Sequence, residues 1–443
     1  MDRLAHVDVP LNIMQVAIIG GGWAGLAAAV TIAEQHIPVT LFESAAQLGG
    51  RARRVEINGL ALDNGQHIFL GVYRETLRLL AQVGVVIRDA CYASPLTLQV
   101  EPEFYLRAAR LPAPWHLAAG LLRSRGISLR DKFSAVRFLS ALKHAQFTVA
   151  PDLTVAALLA KHRQSTALND YLWHPLCLAA LNTPPQSAAA QVFVNVLRDA
   201  FFGVRDDSRL LLPRVDLGRL FPDAAARYLH AHIGTLCLNQ RIQRIEVAAE
   251  GFTLHHAQGA ESFSHVICAV PAHRVANLLG HLAPLHAAIA QINALRYQPI
   301  YTVYLQYDAT VRLRFPMLGL TQTLSQWVFD RGALTNQPGL MAVVISAEGA
   351  HEKLSHAELA SIVAKELQGK LGLVGPPHWT QVIAEKRATF ACTPNLARPN
   401  NQTPLPGLWL AGDYTASAYP ATLEAAVRSG IDSARRVLSA SAT

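Results

Sequence analysis

Two rhythms of apolar residues run along this chain. Unbroken runs at 16–19, 39–42, 266–270 and 408–411 suit strands buried on both faces, as in a parallel sheet flanked by helices. Alternating runs at 300–307, 326–329 and 340–345 suit strands whose two faces meet different surroundings. Amphipathic helical spacing marks 73–83, 223–231 and 355–371, while Asn58-Gly59 within 55–68 reads as a hairpin turn that leads into a glycine-containing loop. From 89 to 205 the pattern changes to long apolar helices punctuated by Pro and Trp, with few acids. Pro184 and Pro185 there must end one helix before another begins. The expected organisation is one α/β unit made of 14–88, 206–290 and 381–443, with a mixed α+β unit made of 89–205 and 291–380 inserted into it.

The first apolar run ends in Gly20, and Gly20, Gly22 and Gly25 have the spacing of a strand–turn–helix phosphate cradle. Gly20 permits the turn, Gly22 lets the backbone approach a pyrophosphate, and Gly25 lets the Ala-rich helix pack closely on the strand. The helix start offers free N–H groups and a partial positive charge. The second run ends in Glu43, 18 residues past Gly25, where a carboxylate accepts hydrogen bonds from ribose hydroxyls and repels a 2′-phosphate. No Lys or Arg intervenes before Arg51, so a phosphorylated ribose is disfavoured. Strand, turn, helix, strand and acid occur in register, which is what makes the glycine spacing informative. Near the other end, a buried run leads through Gly412-Asp413 towards a helix start at Thr422-Leu423, a second place to hold phosphate and ring oxygens.

With 443 residues, 51% of them hydrophobic, the chain has ample core for two or three domains. Five scattered cysteines form no Cys-x-x-Cys pair, so neither a zinc site nor a disulfide framework is indicated, and reduced thiols in a cytoplasmic protein are expected. The first thirteen residues hold Asp2, Arg3 and Asp8 and lack a signal-peptide core; the fold pattern begins at Met14, a candidate start. No apolar run reaches the roughly 18 residues of a membrane span. The net charge of +8 raises nucleic acid and anionic membrane as partners, and its location separates them. Between 104 and 144 eight Lys or Arg face one acid, Asp131, and are interleaved with Trp115, Leu121, Leu122, Phe133 and Phe138. Such a mixture at helical spacing suits peripheral attachment to an anionic membrane surface, or a solvated basic face; no nucleic-acid motif accompanies it.

The first glycine motif, Leu48-Gly49-Gly50-Arg51, and the terminal stretch from Ala411-Gly-Asp-Tyr-Thr415 to Gly430 together resemble the flavin amine oxidase and carotenoid desaturase superfamily, across nearly the whole chain. The resemblance implies a Rossmann-type FAD-binding domain of the glutathione reductase-like, amine oxidase type, with FAD extended between the two chain ends. It implies that Gly20, Gly22 and Gly25 face the pyrophosphate, Glu43 the adenosine ribose, and Arg51, with Gly49 and Gly50, the diphosphate or flavin edge. Ile242 would meet adenine through its backbone, Gly412 and Asp413 the phosphate and ribityl chain, and the amides around Thr422 and Leu423 the flavin O2. Covalent attachment of flavin through Cys392 is not expected. Flavin amine oxidases carry an aromatic residue of an amine-binding cage where this chain has Thr422, so amine oxidation is disfavoured. The terminal motif is more similar to the plant-type phytoene desaturase branch. The stretch Trp173-His-Pro-Leu-Cys-Leu-Ala-Ala-Leu-Asn-Thr-Pro184 and the loop Asp63-Asn-Gly65-Gln-His67 resemble a bacterial branch of squalene-associated, FAD-dependent enzymes.

That last resemblance implies replacement of the hydroxyl of a C30 isoprenoid alcohol by hydrogen, with reduced FAD, in squalene and hopanoid biosynthesis, and other enzymes of that pathway as partners. Hydroxide leaves poorly and needs an acid; the allylic cation left behind takes hydride from flavin N5. His67 is the candidate donor and Asp63 its orienter, unless both simply shape the loop beneath the flavin. Trp173 is a candidate aromatic face for the cation, or a core residue. The competing readings are a desaturase that oxidises a polyisoprenoid, an amine oxidase, and a flavoprotein without turnover. No second dinucleotide fingerprint is present to hold a nicotinamide donor.

Overall fold

The computed structural model describes residues 14–101 and 103–440. The reading of the chain start therefore lies outside the described residues. Five strands form a parallel sheet in the order Gly234–Cys237, Val39–Phe42, Val16–Ile19, His265–Cys268, Leu408–Leu410. All four pairings are parallel, and the three central strands are buried almost throughout, which is why their sequences are continuous apolar runs. The helix Trp23–Ala33 is buried along its whole length. One side lies on the sheet and the other meets the final helix, Leu423–Ala440. Small residues permit this: a Cβ on Gly430 would overlap the carbonyl of Ala24, so the two helices cross with their backbones nearly touching.

A seven-stranded sheet forms the second unit, in the order Trp379–Phe390, Tyr297–Gln306, Leu340–Ser346, Trp327–Asp330, Met317–Leu320, Thr97–Glu101, Phe104–Arg107. Alternation along its strands separates two faces. Tyr301, Val303, Leu305, Val328, Met341, Val343 and Ile345 pack under the helix His356–Leu371. Trp327, Phe329 and Val344 face the other way, into the space shared with the nucleotide-binding sheet. That helix is bounded as its sequence dictates, by a Ser355/Glu358 capping box and by Gly372 at φ +66°.

The topology corrects two expectations. The boundary at 380/381 would cut Trp379–Phe390, which pairs along its length with Tyr297–Gln306, so the second unit runs to Phe390. The segment from 89 leaves the short helix Ile87–Ala90 and enters strands before its long helices. Cys91–Ser94 pairs with Leu210–Pro213, and Thr97–Glu101 and Phe104–Arg107 close the edge of the seven-stranded sheet. Helices follow, from Trp115–Leu122 to Ala190–Phe202, and a π-helical turn at Asn169–Trp173 runs into His174–Leu181. The 55–68 hairpin is present as Arg54–Ile57 and Leu60–Asp63, with Asn58 and Gly59 both at positive φ, as a two-residue I′ turn requires. No helix of the described residues is long and apolar enough to cross a membrane.

Candidate functional site

A groove of about 770 Å³ lies across the carboxyl ends of the parallel strands, where Ile19, Phe42, Ala269 and Gly412 end or follow them. This is where open α/β sheets bind ligands. Gly20, Gly22, Glu43, Gly49, Gly50, Arg51, Gly65, His67, Ile242, Gly412, Asp413, Thr422 and Leu423 all line it. Two residues do not. Asp63 lies below the loop, and Gly25 stands behind the turn, where a Cβ would overlap the Gly20 carbonyl. Gly25 therefore serves helix–strand packing, and its expected contact with a pyrophosphate is corrected.

The cradle is made of backbone. Gly20, Gly49 and Gly50 have φ of +110°, +107° and +60°, which side-chain-bearing residues rarely adopt. Gly49 N–H donates to the Gly21 carbonyl at 2.8 Å, laying the Leu48–Arg51 loop against the turn. A Cβ at Gly22 would meet nothing within 4 Å, so that position opens on the groove. Glu43 accepts hydrogen bonds from Gly21 N–H at 2.7 Å and Ala45 N–H at 2.8 Å, and its carboxylate keeps lone pairs for a ribose. Gln240 N–H donates to the Glu43 carbonyl, which brings the 240–243 segment with Ile242 to the same end. At the other end, Thr422 Oγ1 accepts from Ala425 N–H and caps the final helix, whose first residue Leu423 opens on the groove. Arg51 donates to Asp413 at 2.6 Å and to the Ala388 carbonyl at 2.8 Å, so the two expected contact residues brace each other on the groove wall. The hydroxyl of Tyr414, buried beside them, has no hydrogen-bond partner among the described residues. An open glycine cradle, a carboxylate for the ribose, two helix starts and an unpaired phenol fit FAD.

The Asp63–His67 loop is pinned from below. Asp63 accepts from Leu217 N–H at 2.7 Å and from Arg331 at 3.0 Å, in an ion pair whose two side chains are buried. Tyr304 donates to the Asp63 carbonyl at 2.7 Å and accepts from Gln66 at 2.8 Å. Asp63 makes no hydrogen bond to His67, which corrects its expected role: both carboxylate oxygens are engaged elsewhere, and it anchors the loop. His67 itself makes no hydrogen bond to a described residue, so both ring nitrogens are available to a ligand. Desolvation, with the charge of Arg51 adding to it, pushes its pKa down to about 4. The imidazole is neutral at pH 7, so it is not a standing acid. Thr302 Oγ1, buried behind the groove wall and without a partner among the described residues, and His67 Nε2 are each 3.9 Å from where a Gly65 Cβ would stand.

Beyond His67 the lining is mainly apolar, with Leu178, Ala180, Ile300, Trp327, Phe329 and Val344 beside the polar Asn182, Ser346 and Thr389. None of these was singled out from the sequence. Alternation puts Trp327 and Phe329 on one face of a strand without telling which face is inward. Trp173 is a core residue instead, 1% exposed, donating to Gln164 at 2.9 Å and packed edge-on to Phe138. Cys392 is buried outside the groove, and burial pushes its thiol up to about 12.

Fold and groove define an FAD-dependent oxidoreductase with an apolar chamber beyond the flavin end. The chain belongs to the flavin containing amine oxidoreductase family, whose profile matches residues 23–438. Hydroxysqualene dehydroxylases of Zymomonas mobilis subsp. mobilis and Sinorhizobium fredii are each 28% identical to it, over 95% and 96% of this chain and 98% of theirs. A 15-cis-phytoene desaturase of an Oncidium hybrid cultivar is 25% identical, over 95% of this chain and 77% of its own. A solved putrescine oxidase variant shares the fold, with a TM-score of 0.71 at 16% identity, over 96% of this chain and all of that one.

Proposed function

We propose that this enzyme reductively removes the hydroxyl of hydroxysqualene to give squalene, a step of squalene and hopanoid biosynthesis. The observation that carries the reading is the lining beyond His67, where mainly apolar and aromatic walls lead away from an imidazole that no described residue hydrogen-bonds. Such a chamber suits a long hydrocarbon with one hydroxyl. The likeness to hydroxysqualene dehydroxylases over nearly the full chain supports the same substrate.

Bound reduced FAD supplies a hydride and a proton. In each turnover a C–O bond breaks, a C–H bond forms and the hydroxyl leaves as water. A neutral His67 can donate from one nitrogen to the departing oxygen while accepting a proton at the other, so it passes on a proton it does not store. The walls exclude water from the allylic cation, and the faces of Trp327 and Phe329 stabilise it. Thr422, by contrast, caps a helix and presents no aromatic face to an amine.

Photoreduced, flavin-loaded protein is mixed with hydroxysqualene without oxygen. Flavin reoxidation with one squalene formed per flavin is the expected result. Desaturation of phytoene by the oxidised protein, with hydroxysqualene inert, would replace this reaction by its oxidative rival.

A further inference from the structure

Among the described residues twelve large apolar side chains are exposed, and five of them, Leu111, Trp115, Leu122, Leu129 and Phe133, fall within 23 consecutive positions. Trp115 and Leu129 are each 67% exposed and Phe133 is 63% exposed, so they contribute little to the core. The helix Leu129–His144 already has an inward face in Ala135, Phe138 and Leu142, and Trp115–Leu122 has one in His116, Leu117 and Leu121. The outward apolar stripe is a second one that folding does not require.

This surface is held stiffly. Lys132 donates to the carbonyls of Leu122 at 3.0 Å and Ser124 at 2.6 Å and closes the turn between the helices, which removes it from the exposed basic set. Tyr105 and Arg125 exchange backbone hydrogen bonds at 3.2 and 2.9 Å, fixing that turn to the sheet edge. Seven cations remain exposed, Arg107, Arg110, Arg123, Arg125, Arg130, Arg137 and Lys143, and none is ion-paired with a described residue. Of the acids nearby, Asp131 caps its own helix through Ser128 and Glu103 is bonded to Tyr171. The face also lies on the same body as the apolar end of the groove, because Phe138 packs on Trp173 at 5.2 Å, next to the helix His174–Leu181 that supplies Leu178 and Ala180 to the lining.

We propose that the helices Trp115–Leu122 and Leu129–His144, with the turn between them, seat the protein on an anionic bilayer. Leu111, Trp115, Leu122, Leu129 and Phe133 enter the boundary between headgroups and acyl chains, and Arg123, Arg125, Arg130 and Arg137 meet the headgroup phosphates. The charge selects lipid over a protein partner: unpaired cations surround the apolar side chains, with no free carboxylate among them. The inference rests on this surface and does not depend on which isoprenoid is reduced.

The test uses the flavin-loaded full chain and phosphatidylcholine vesicles with and without phosphatidylglycerol. Co-sedimentation is expected only with phosphatidylglycerol, weakening as salt rises. Arg123→Gln, Arg125→Gln and Arg130→Gln together should weaken it on the order of a hundredfold, and Phe133→Ser on the order of tenfold or more. Brominated acyl chains should quench the emission of the parent protein and spare a Trp115→Phe variant that still binds. These positions are exposed, so flavin absorbance and melting temperature should stay unchanged and report that each variant is folded. Equal binding to both vesicle types, binding indifferent to Phe133→Ser, or no vesicle binding together with self-association lost in Phe133→Ser would each overturn the proposal. Substrate presented in detergent keeps the reductive assay independent of all these outcomes.

Discussion

The two ends of the groove are built in different ways. The nucleotide end is made of backbone: glycines at positive φ, strand ends and helix starts, with Glu43 the main side chain. The chamber end is made of side chains brought together from a helix near 178 and strands near 300, 327 and 344. A backbone site needs residues that almost no other purpose selects, so it marks the sequence. A side-chain chamber uses Leu, Ile, Trp and Phe, the same residues that fill a core, so it leaves no mark until the chain is folded.

The sharpest way to break this contrast is to place a side chain where only backbone is expected. Gly22→Leu should yield folded, colourless protein, because its Cβ enters open groove along the pyrophosphate path. Gly25→Val should instead lose the fold itself, since a Cβ there overlaps the Gly20 carbonyl. Flavin absorbance and circular dichroism distinguish the two failures; stoichiometric flavin in the Gly22 variant would refute the assignment of the cradle.

The next largest effect lies beneath the loop that joins the two ends. Removing one partner of the buried Asp63–Arg331 pair leaves a charge without compensation, and Asp63→Ala should cost about 3–5 kcal/mol of stability. Replacing both partners by apolar residues should cost less than either single change. Additive losses in denaturant titrations would show that the pair is not coupled.

Catalysis is expected to respond at His67. His67→Ala should retain FAD and slow turnover about a hundredfold, the usual contribution of a positioned proton-transfer group. With the imidazole neutral, the parent rate should show no inflection near 6.5 from this residue. Full activity in the variant would remove His67 from proton transfer. Smaller again, Trp327→Leu should keep FAD and raise KM for a long isoprenoid alcohol roughly tenfold through lost apolar contact. An unchanged KM would mean that the hydrocarbon does not reach this wall.

Legibility follows the same division. The parallel sheet could be read because its strands are apolar on both sides and are bounded by glycine motifs. The sheet edge at Thr97–Glu101 and Phe104–Arg107 could not, because its strands alternate over only five and four residues and stand between prolines in a segment dominated by helical spacing. Met317–Leu320 is equally silent: a buried four-residue run with a glycine inside it reads as loop or core. The motif points to His67 but not to its protonation, which depends on burial and on the nearness of Arg51 that the fold creates. The partner of Asp63 is hidden for a related reason: Arg331 lies 268 positions away along the chain, whereas His67 lies in the same motif.

The smallest predicted effect tests how dry the chamber end is. Burial holds His67 near pKa 4, whereas an unfolded chain returns it to about 6.5. Between those values the unfolded state binds the extra proton, so stability is fully present above about 6.5 and is lost as pH falls towards 4. In oxidised, flavin-loaded protein, His67→Gln should flatten that decline by on the order of 1 kcal/mol, less than the full shift implies because the ring is partly open to solvent. Measuring the difference between parent and variant cancels the other buried histidines, His116 and His351 among them, which burial also lowers. Parallel stability curves across this range would mean that His67 titrates as it does in water, and that the groove around it is wet rather than a hydrocarbon chamber.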